Sequence, residues 1–280
     1  MNKLALSALI VSLTACQPDT RNLEKKVDDL AKNQQKILDL LAKGGGGAGA
    51  ANARQQQPQR DEADPNAMFA VDVSQNIKKG MIEGPATAPV TVVEAWDLAC
   101  PYCQRVSDTM QQLVKDYNGK LRVVFKNLVV HPQIVARAHL AGCAAALQGK
   151  FVPFYHAWWD KAYKPYQEAR DPSKMSEEAF MAWVPTLGLD ATKLKADMDG
   201  PECKALIDAD SNELRKFRVG STPSFFINGS YIAGALDAAA FKNIIDQKLK
   251  IAEASGAGAD YYEKEVMVKG EKQFKAAAQK

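Results

Sequence analysis

The chain of 280 residues is poor in several features that would each have pointed to a function. No apolar run reaches the roughly 20 residues that a membrane-spanning helix needs. Lys and Arg exceed Asp and Glu by only 36 to 33, so there is no basic footprint and nucleic acid is not an expected partner. The 3 histidines, His131, His139 and His156, show no metal-ligand spacing. Among the 5 cysteines there is a single C-x-x-C pair, where a structural zinc site would want two pairs or a Cys/His set. No metal or cofactor is expected. Apolar residues, by contrast, are plentiful: 46% of the chain is hydrophobic and 25% charged, the composition of a folded chain long enough for about two domains.

The opening residues, MNKLALSALIVSLTAC, place Lys3 before a short apolar stretch from Leu4 to Leu13 and then small residues. That pattern reads as an export signal over residues 1–15 rather than a buried amphipathic helix. The end of this stretch, Leu13-Thr14-Ala15-Cys16, resembles the lipobox of bacterial lipoproteins. The resemblance implies a lipid anchor on Cys16, and Gln17 in place of Asp implies the outer membrane. Cleavage nearby, with release of a soluble product, is the alternative. Either way the expected compartment is oxidising and permits disulfides.

Leu23, Val27, Leu30, Gln34, Ile37 and Leu41 follow at steps of 4, 3, 4, 3 and 4, the a/d spacing of a coiled coil. Residues 16–43 are therefore expected to form an oligomerisation helix, dimer before trimer. A single helix docked on the domain is the alternative. The stretch from Gly44 to Pro65 is rich in Gly, Ala and Gln and reads as a flexible linker ending near residue 67; its 22 or so residues reach roughly 26 Å.

Globular sequence is expected over residues 68–250. Val90–Trp96 reads as a buried strand and 121–130 as a second one. Residues 132–218 are mostly helical in pattern. A strand returns at 224–228, and Asn228-Gly229 is a strong hairpin signal. Asp237 is placed to cap a helix to about Lys250. The order implies an α/β fold with a helical insertion, followed by a partly helical tail, 251–280.

Cys100-Pro101-Tyr102-Cys103 comes directly after the first strand. A lone C-x-x-C can serve metal, structure or redox exchange. Pro101 suits the first turn of a helix, which would place the Cys100 sulfur at a helix N-terminus, where a thiolate is stabilised. Cys103, one turn further in, would be shielded. This geometry favours exchange, with Cys100 as nucleophile and a pKa well below the ordinary value of about 8.5.

Far along the chain lies Gly220-Ser221-Thr222-Pro223-Ser224-Phe225-Phe226-Ile227-Asn228-Gly229. Paired with C-P-Y-C, this segment resembles the thioredoxin superfamily, specifically its exported DsbA-type thiol-disulfide oxidoreductases, over about residues 68–250. The resemblance implies a thioredoxin-like fold whose inserted helices form a helical domain. It implies a cis Pro223 facing the active disulfide, Thr222 beside the sulfurs, and a substrate surface made by Pro101, Tyr102, Thr222 and Pro223. Glu94 stands where that superfamily keeps a buried acid for the second cysteine, with simple edge exposure as the alternative and Lys126 as a candidate partner. Cys143 and Cys203 match a second, structural disulfide of some relatives; two buried free thiols are the other reading. The aromatic run Phe151, Phe154, Tyr155, Trp158 and Trp159 is expected to be core.

The implied partners are exported proteins with cysteines, a membrane redox partner that resets the site, and further copies of the chain. DsbA-type oxidases usually carry Pro-His between the cysteines and Val before the cis proline. Pro-Tyr and Thr222 depart from that pattern toward the isomerase branch. Combined oxidase and isomerase activity is therefore expected, with a non-enzymatic chaperone or binding module around Pro223 as the alternative.

Overall fold

The computed structural model describes residues 62–277 and, by itself, Lys32, which is helical and exposed. The expected export signal, Cys16, the heptad positions and the linker up to residue 61 lie outside the described residues. The chain divides into a unit over Met1–Arg60 and a second over Asp61–Lys280. The sheet and the helices packed on it belong to the second unit.

The chain order begins with a short helix α1 (Ser74–Lys78), strand β1 (Ile82–Glu83) and strand β2 (Val90–Trp96). Helix α2 (Pro101–Asp116) and strand β3 (Leu121–Asn127) come next. Helices α3 (Pro132–Leu147), α4 (Phe151–Trp158), α5 (Lys164–Ala169), α6 (Glu177–Trp183), α7 (Ala191–Asp199) and α8 (Pro201–Lys216) form the insertion. Strands β4 (Ser224–Ile227) and β5 (Ser230–Ala233), helix α9 (Ala238–Ala254) and a final turn α10 (Met267–Lys269) complete the unit.

β2 is β-branched and apolar at nearly every position, and all seven of its residues are buried, as a central strand covered on both faces demands. The sheet runs β1-β3-β2-β4-β5. β2 and β3 are parallel, with Glu94 opposite Phe125 and Ala95 opposite Lys126. β4 is antiparallel to β2, with Glu94 opposite Phe225. The hairpin to β5 turns at Asn228 and Gly229, both at positive φ (41° and 85°), as the Asn-Gly pair requires. A side chain at Gly229 would collide with Met68 and the backbone of Phe69. The Asn228 amide also ties the hairpin to the start of β2, accepting from the Thr91 N–H and donating to the Pro89 carbonyl.

Alternation sends Val90, Val92, Glu94 and Trp96 to one face, where α2, α3, α4 and α9 build the larger core. The aromatic run of α4 belongs to this core, with Tyr155 4.7 Å from Phe125 and 5.2 Å from Trp96 between ring centroids. Val93, Ala95, Val124 and Phe226 face the other way, against Phe69, Val71, Leu214, Phe217, Tyr262 and Val266.

That second face is where the tail lies. Tyr262 is fully buried and donates its hydroxyl to the Val71 carbonyl at 2.8 Å. Glu263 pairs with buried Arg122 at 2.5 Å. Ala63 bridges Ala276, and Phe69 bridges Glu271. Residues 62–67, expected as the end of the linker, are thus paired with the tail rather than loose. The sequence pattern missed this because neither short segment carries a periodicity of its own.

Cys143 on α3 and Cys203 on α8 are joined in a disulfide, 60 residues apart in sequence. Closing a loop of that length restricts the unfolded chain by about 4 kcal/mol. Replacing both cysteines by alanine should lower unfolding stability by that order in denaturant titrations. A change below about 1 kcal/mol would show that the insertion is held without it.

Candidate active site

A short loop joins the end of β2 to α2, and the turn fixes both sulfurs. Cys100 is the N-cap residue of α2, with extended backbone angles, and Pro101 occupies the first turn without needing a donor. The free N–H groups of that turn therefore point at Cys100 Sγ. Cys103, a turn further in, is completely buried, while Cys100 is 4% exposed. Both are free thiols. The Thr222–Pro223 peptide bond is cis, and Cys100 Sγ donates to the Thr222 carbonyl at 3.2 Å. Two segments 122 residues apart thus meet at one sulfur.

The two thiols have opposite ionisation. A hydrogen bond from the Cys103 thiol, assisted by the Thr222 side chain and the backbone N–H groups of Cys103 and Tyr102, brings Cys100 down from 9.0 to about 6 against the opposing effect of burial. The Thr222 carbonyl favours the protonated thiol, and these donors outweigh it. Burial pushes the Cys103 thiol well up, reinforced by its bond to Cys100 and by the charge of Glu94. Near neutral pH Cys100 is a thiolate and Cys103 keeps its proton.

Tyr102 is 50% exposed beside Cys100, with the Arg105 guanidinium 4.8 Å over its ring. Pro101 is exposed as well, Thr222 is half-buried and Pro223 is buried. The four residues expected to make a substrate surface thus sit on the two segments that meet at Cys100.

Glu94 lies on the α2 side of the sheet and is completely buried, and neither carboxylate oxygen has a hydrogen-bond partner among the described residues. Burial, followed by the charges of Glu83 and Cys100, raises it from 4.5 to about 8. Edge exposure is therefore excluded. The expected pairing with Lys126 is also corrected. Because Ala95 stands opposite Lys126, that lysine projects from the other face of the sheet, where its Nζ donates to Asp210 at 2.9 Å and Asn76 at 2.8 Å.

Several residues that shape the site carry no local sequence signal. Asp97, buried three residues before Cys100, accepts the N–H groups of Ala99 and Val130 at 2.8 Å and meets His131 Nδ1 at 2.8 Å. Burial opposes its ionisation, but His139, His131 and the Ala99 N–H hold the carboxyl well below the usual range. His139, fully buried on α3, takes the Leu98 N–H on Nε2 at 3.3 Å and meets Asn127 Oδ1 through Nδ1 at 2.9 Å. Asn127 in turn donates to Asp210 at 2.8 Å. Trp158 of α4 donates to the Leu98 carbonyl at 2.9 Å. The insertion therefore clamps the loop 97–100 from two helices. Tyr163, in a π-turn (Trp159–Tyr163) after α4, is pushed up to about 12 by burial and then by the negative charge of Cys100.

A thiolate at a helix N-terminus, a shielded partner thiol and a buried acid on the same side of the sheet make a set able to exchange disulfides. Glu94 also links stability to pH. Unfolded, its carboxyl ionises from about pH 4.5; folded, it stays protonated to about pH 8. Glu94's own contribution to the stability of the reduced protein therefore falls as pH rises between these values, while the lowered Cys100 adds stability above about pH 6 and offsets it there. Glu94→Gln should remove that slope, leaving the variant about 4 kcal/mol more stable than the parent near pH 8 and equal to it near pH 4. Parallel slopes in thermal unfolding across this range would contradict the burial account.

Comparisons with known proteins agree with this geometry. A family model described as thioredoxin matches residues 76–247. Disulfide bond formation protein D of Bacillus subtilis is 28% identical over 189 residues, 65% of this chain and 82% of that protein. The Na(+)/H(+) antiporter NhaA of Herminiimonas arsenicoxydans is 32% identical over 159 residues, 56% of this chain. The chain spans about a quarter of the length of the antiporters that it matches. Among solved structures, a thioredoxin-like oxidoreductase from Silicibacter pomeroyi is 26% identical with a TM-score of 0.54, covering 64% of this chain and 98% of that one. BdbD from B. subtilis has the same fold, at 24% identity, a TM-score of 0.50, and coverage of 68% of this chain and all of that one. With its model match over residues 76–247, its cis proline beside C-P-Y-C and its helices inserted between β3 and β4, the chain belongs to the thioredoxin family.

Proposed function

We propose that the protein is a thiol-disulfide oxidoreductase that acts on exported proteins, combining oxidation with isomerisation. The observation that carries this reading is the opposite ionisation of two adjacent sulfurs, with Cys100 at about 6 and Cys103 well above the ordinary thiol value. In the oxidising direction, a client thiolate attacks Cys100 Sγ and breaks its bond to Cys103. Cys103 leaves as a thiolate and takes the proton of Glu94. A second client thiolate then attacks the client sulfur of the mixed disulfide, and Cys100 leaves as a thiolate stabilised by its helix N-terminus. A reduced form stabilised in this way makes the disulfide a good oxidant.

In isomerisation, the same Cys100 thiolate attacks a wrong client disulfide, and Cys103 resolves the adduct if rearrangement stalls. Thr222, in contact with Cys100, is the residue that tunes the balance, and the Tyr102 and Pro223 segments hold the client. The relatives' names support disulfide chemistry. The signal-like N-terminus supports an exported, periplasmic site of action with Cys16 as a lipid anchor in the outer membrane. The heptads over residues 23–41 support a homodimer whose paired sites favour isomerisation. A membrane partner that accepts electrons would reset the site for oxidation.

Replacing Cys103 by Ala should trap mixed disulfides between Cys100 and cysteine-containing exported proteins, while replacing Cys100 should trap none. Diagonal gels of cells expressing each variant read this directly. Full in-cell function after Cys100→Ala would sink the enzymatic reading and leave a binding module.

A further inference from the structure

Each catalytic turn that protonates Cys103 empties Glu94 of its proton, and Glu94 is sealed from solvent. Its side of the sheet holds a chain of polar groups that the exchange chemistry does not use. Glu83 stands opposite Val123, and Val123 opposite Val92, so Glu83 projects from the same face as Glu94. Glu83 is level with Val92 rather than Glu94, so the two acids are two strands apart and offset by two residues, a backbone diagonal of about 12 Å. Tyr155 packs against Phe125 on the strand between them, and its buried hydroxyl makes no well-formed hydrogen bond among the described residues, with the Trp159 indole N–H near enough to favour its ionised form. The indole N–H groups of Trp96 and Trp159 likewise make no well-formed hydrogen bond there, and their rings lie 5.2 and 5.8 Å from that of Tyr155.

Buried polar groups without partners are rare in folded proteins. Glu94, Trp96 and Trp159 are three further side chains of this kind near Tyr155, a set of polar groups that a bridging water would satisfy. Beyond Tyr155, Glu83 meets His156 Nε2 at 3.3 Å. Exposure rises outward along the row: nothing at Glu94, 8% for Glu83, and 19% for the His156 side chain. Tyr155 also feels the charges of Glu94, Cys103 and Glu83. Phe125 and Phe225 stand opposite Glu94 on the two flanking strands, and Cys100 and Cys103 interact with it through charge.

We propose that Tyr155, Glu83 and His156 form a proton route that connects Glu94 to solvent, through which the buried acid is reloaded after each exchange. The route rests on the reading of Glu94 as the acid–base partner of Cys103. When a client thiolate opens the Cys100–Cys103 bond, the Cys103 thiolate takes the Glu94 proton and becomes a thiol. The Glu94 carboxylate then regains a proton by way of the Tyr155 hydroxyl and Glu83, and His156 hands the replacement in from water. The net uptake is one proton per client thiolate joined to Cys100. Glu83, Tyr155 and His156 act through Glu94 and touch neither sulfur of the exchange.

The test mixes the oxidised full-length protein with an aromatic thiolate that is already ionised at neutral pH, so that its attack releases no proton, and follows proton uptake with an indicator dye in stopped flow. Glu83→Gln and His156→Gln should each lower the plateau rate of uptake about tenfold across neutral pH. Glu94→Gln should slow it at least as much, and adding Glu83→Gln to that variant should change nothing further. Tyr155→Phe keeps the ring in the core and serves as the second variant if Glu83→Gln folds poorly; it too should slow uptake. Unchanged plateau rates in these relay variants, with Glu94→Gln still slow, would overturn the route and leave Glu94 in place. A displaced pH midpoint at full plateau rate would also overturn it, because Glu83 would then only repel the charge of Glu94. No effect of Glu94→Gln would instead remove the reading on which the route rests.

Discussion

Two sulfurs one helical turn apart are solvated in opposite ways, and the architecture around them serves to maintain that difference. Cys100 needs donors aimed at it from a helix N-terminus, so α2 must begin immediately after that residue, a short loop past the end of β2 at Trp96, with Pro101 in the first turn. Cys103 needs to be kept from water, so α2 must lie against the sheet with Val106, Met110 and Leu113 beneath it. Neither demand can be met by α2 alone. The loop 97–100 is held from below by Asp97 and from the insertion by His139 and Trp158, and the cis-proline segment meets Cys100 Sγ through the Thr222 carbonyl.

The inserted helices therefore do more than enlarge the molecule. α3 supplies His139 and α4 supplies Trp158 and Tyr155, while the π-turn carries Tyr163, which feels the charge of Cys100. The disulfide between α3 and α8 fastens the insertion to itself. Asp210 of α8 ties it to the sheet through Asn127 and Lys126. The buried chain from Asp210 through Asn127 and His139 to Leu98 is continuous, and buried networks that are fully partnered hold one geometry firmly. The face of the sheet that carries Glu94 is the opposite case. Around Glu94 itself the carboxylate and the nearby Trp96, Tyr155 and Trp159 groups are buried without well-formed hydrogen bonds among the described residues, which costs stability.

The parts of the structure that can be read from the sequence are those where a local pattern has a local cause. C-P-Y-C after a β-branched run, Asn-Gly between two short strands, and Thr-Pro before Ser224 each announce their own geometry. Glu94 is visible as an acid in an apolar strand, a placement that is costly unless it is used. Its surroundings are not visible, because strand register decides which face each residue takes, and a one-residue offset sends Lys126 to the other side. Asp97, His139 and Tyr155 are ordinary in sequence and meet at the site only through tertiary packing. The tail is legible as helical in part but not as cover for the second face, since Tyr262 and Val266 gain meaning only from Phe69 and Val71 opposite them.

The central claim is that Cys100 ionises near neutral pH while Cys103 does not. Alkylation of the reduced protein at a series of pH values, with each cysteine quantified separately by mass spectrometry, measures this most directly. Cys100 should react with a midpoint near 6, and Cys103 should stay protected throughout the range in which the protein is folded. Equal reactivity of the two thiols, or a Cys100 midpoint at the ordinary value of about 8.5, would contradict it.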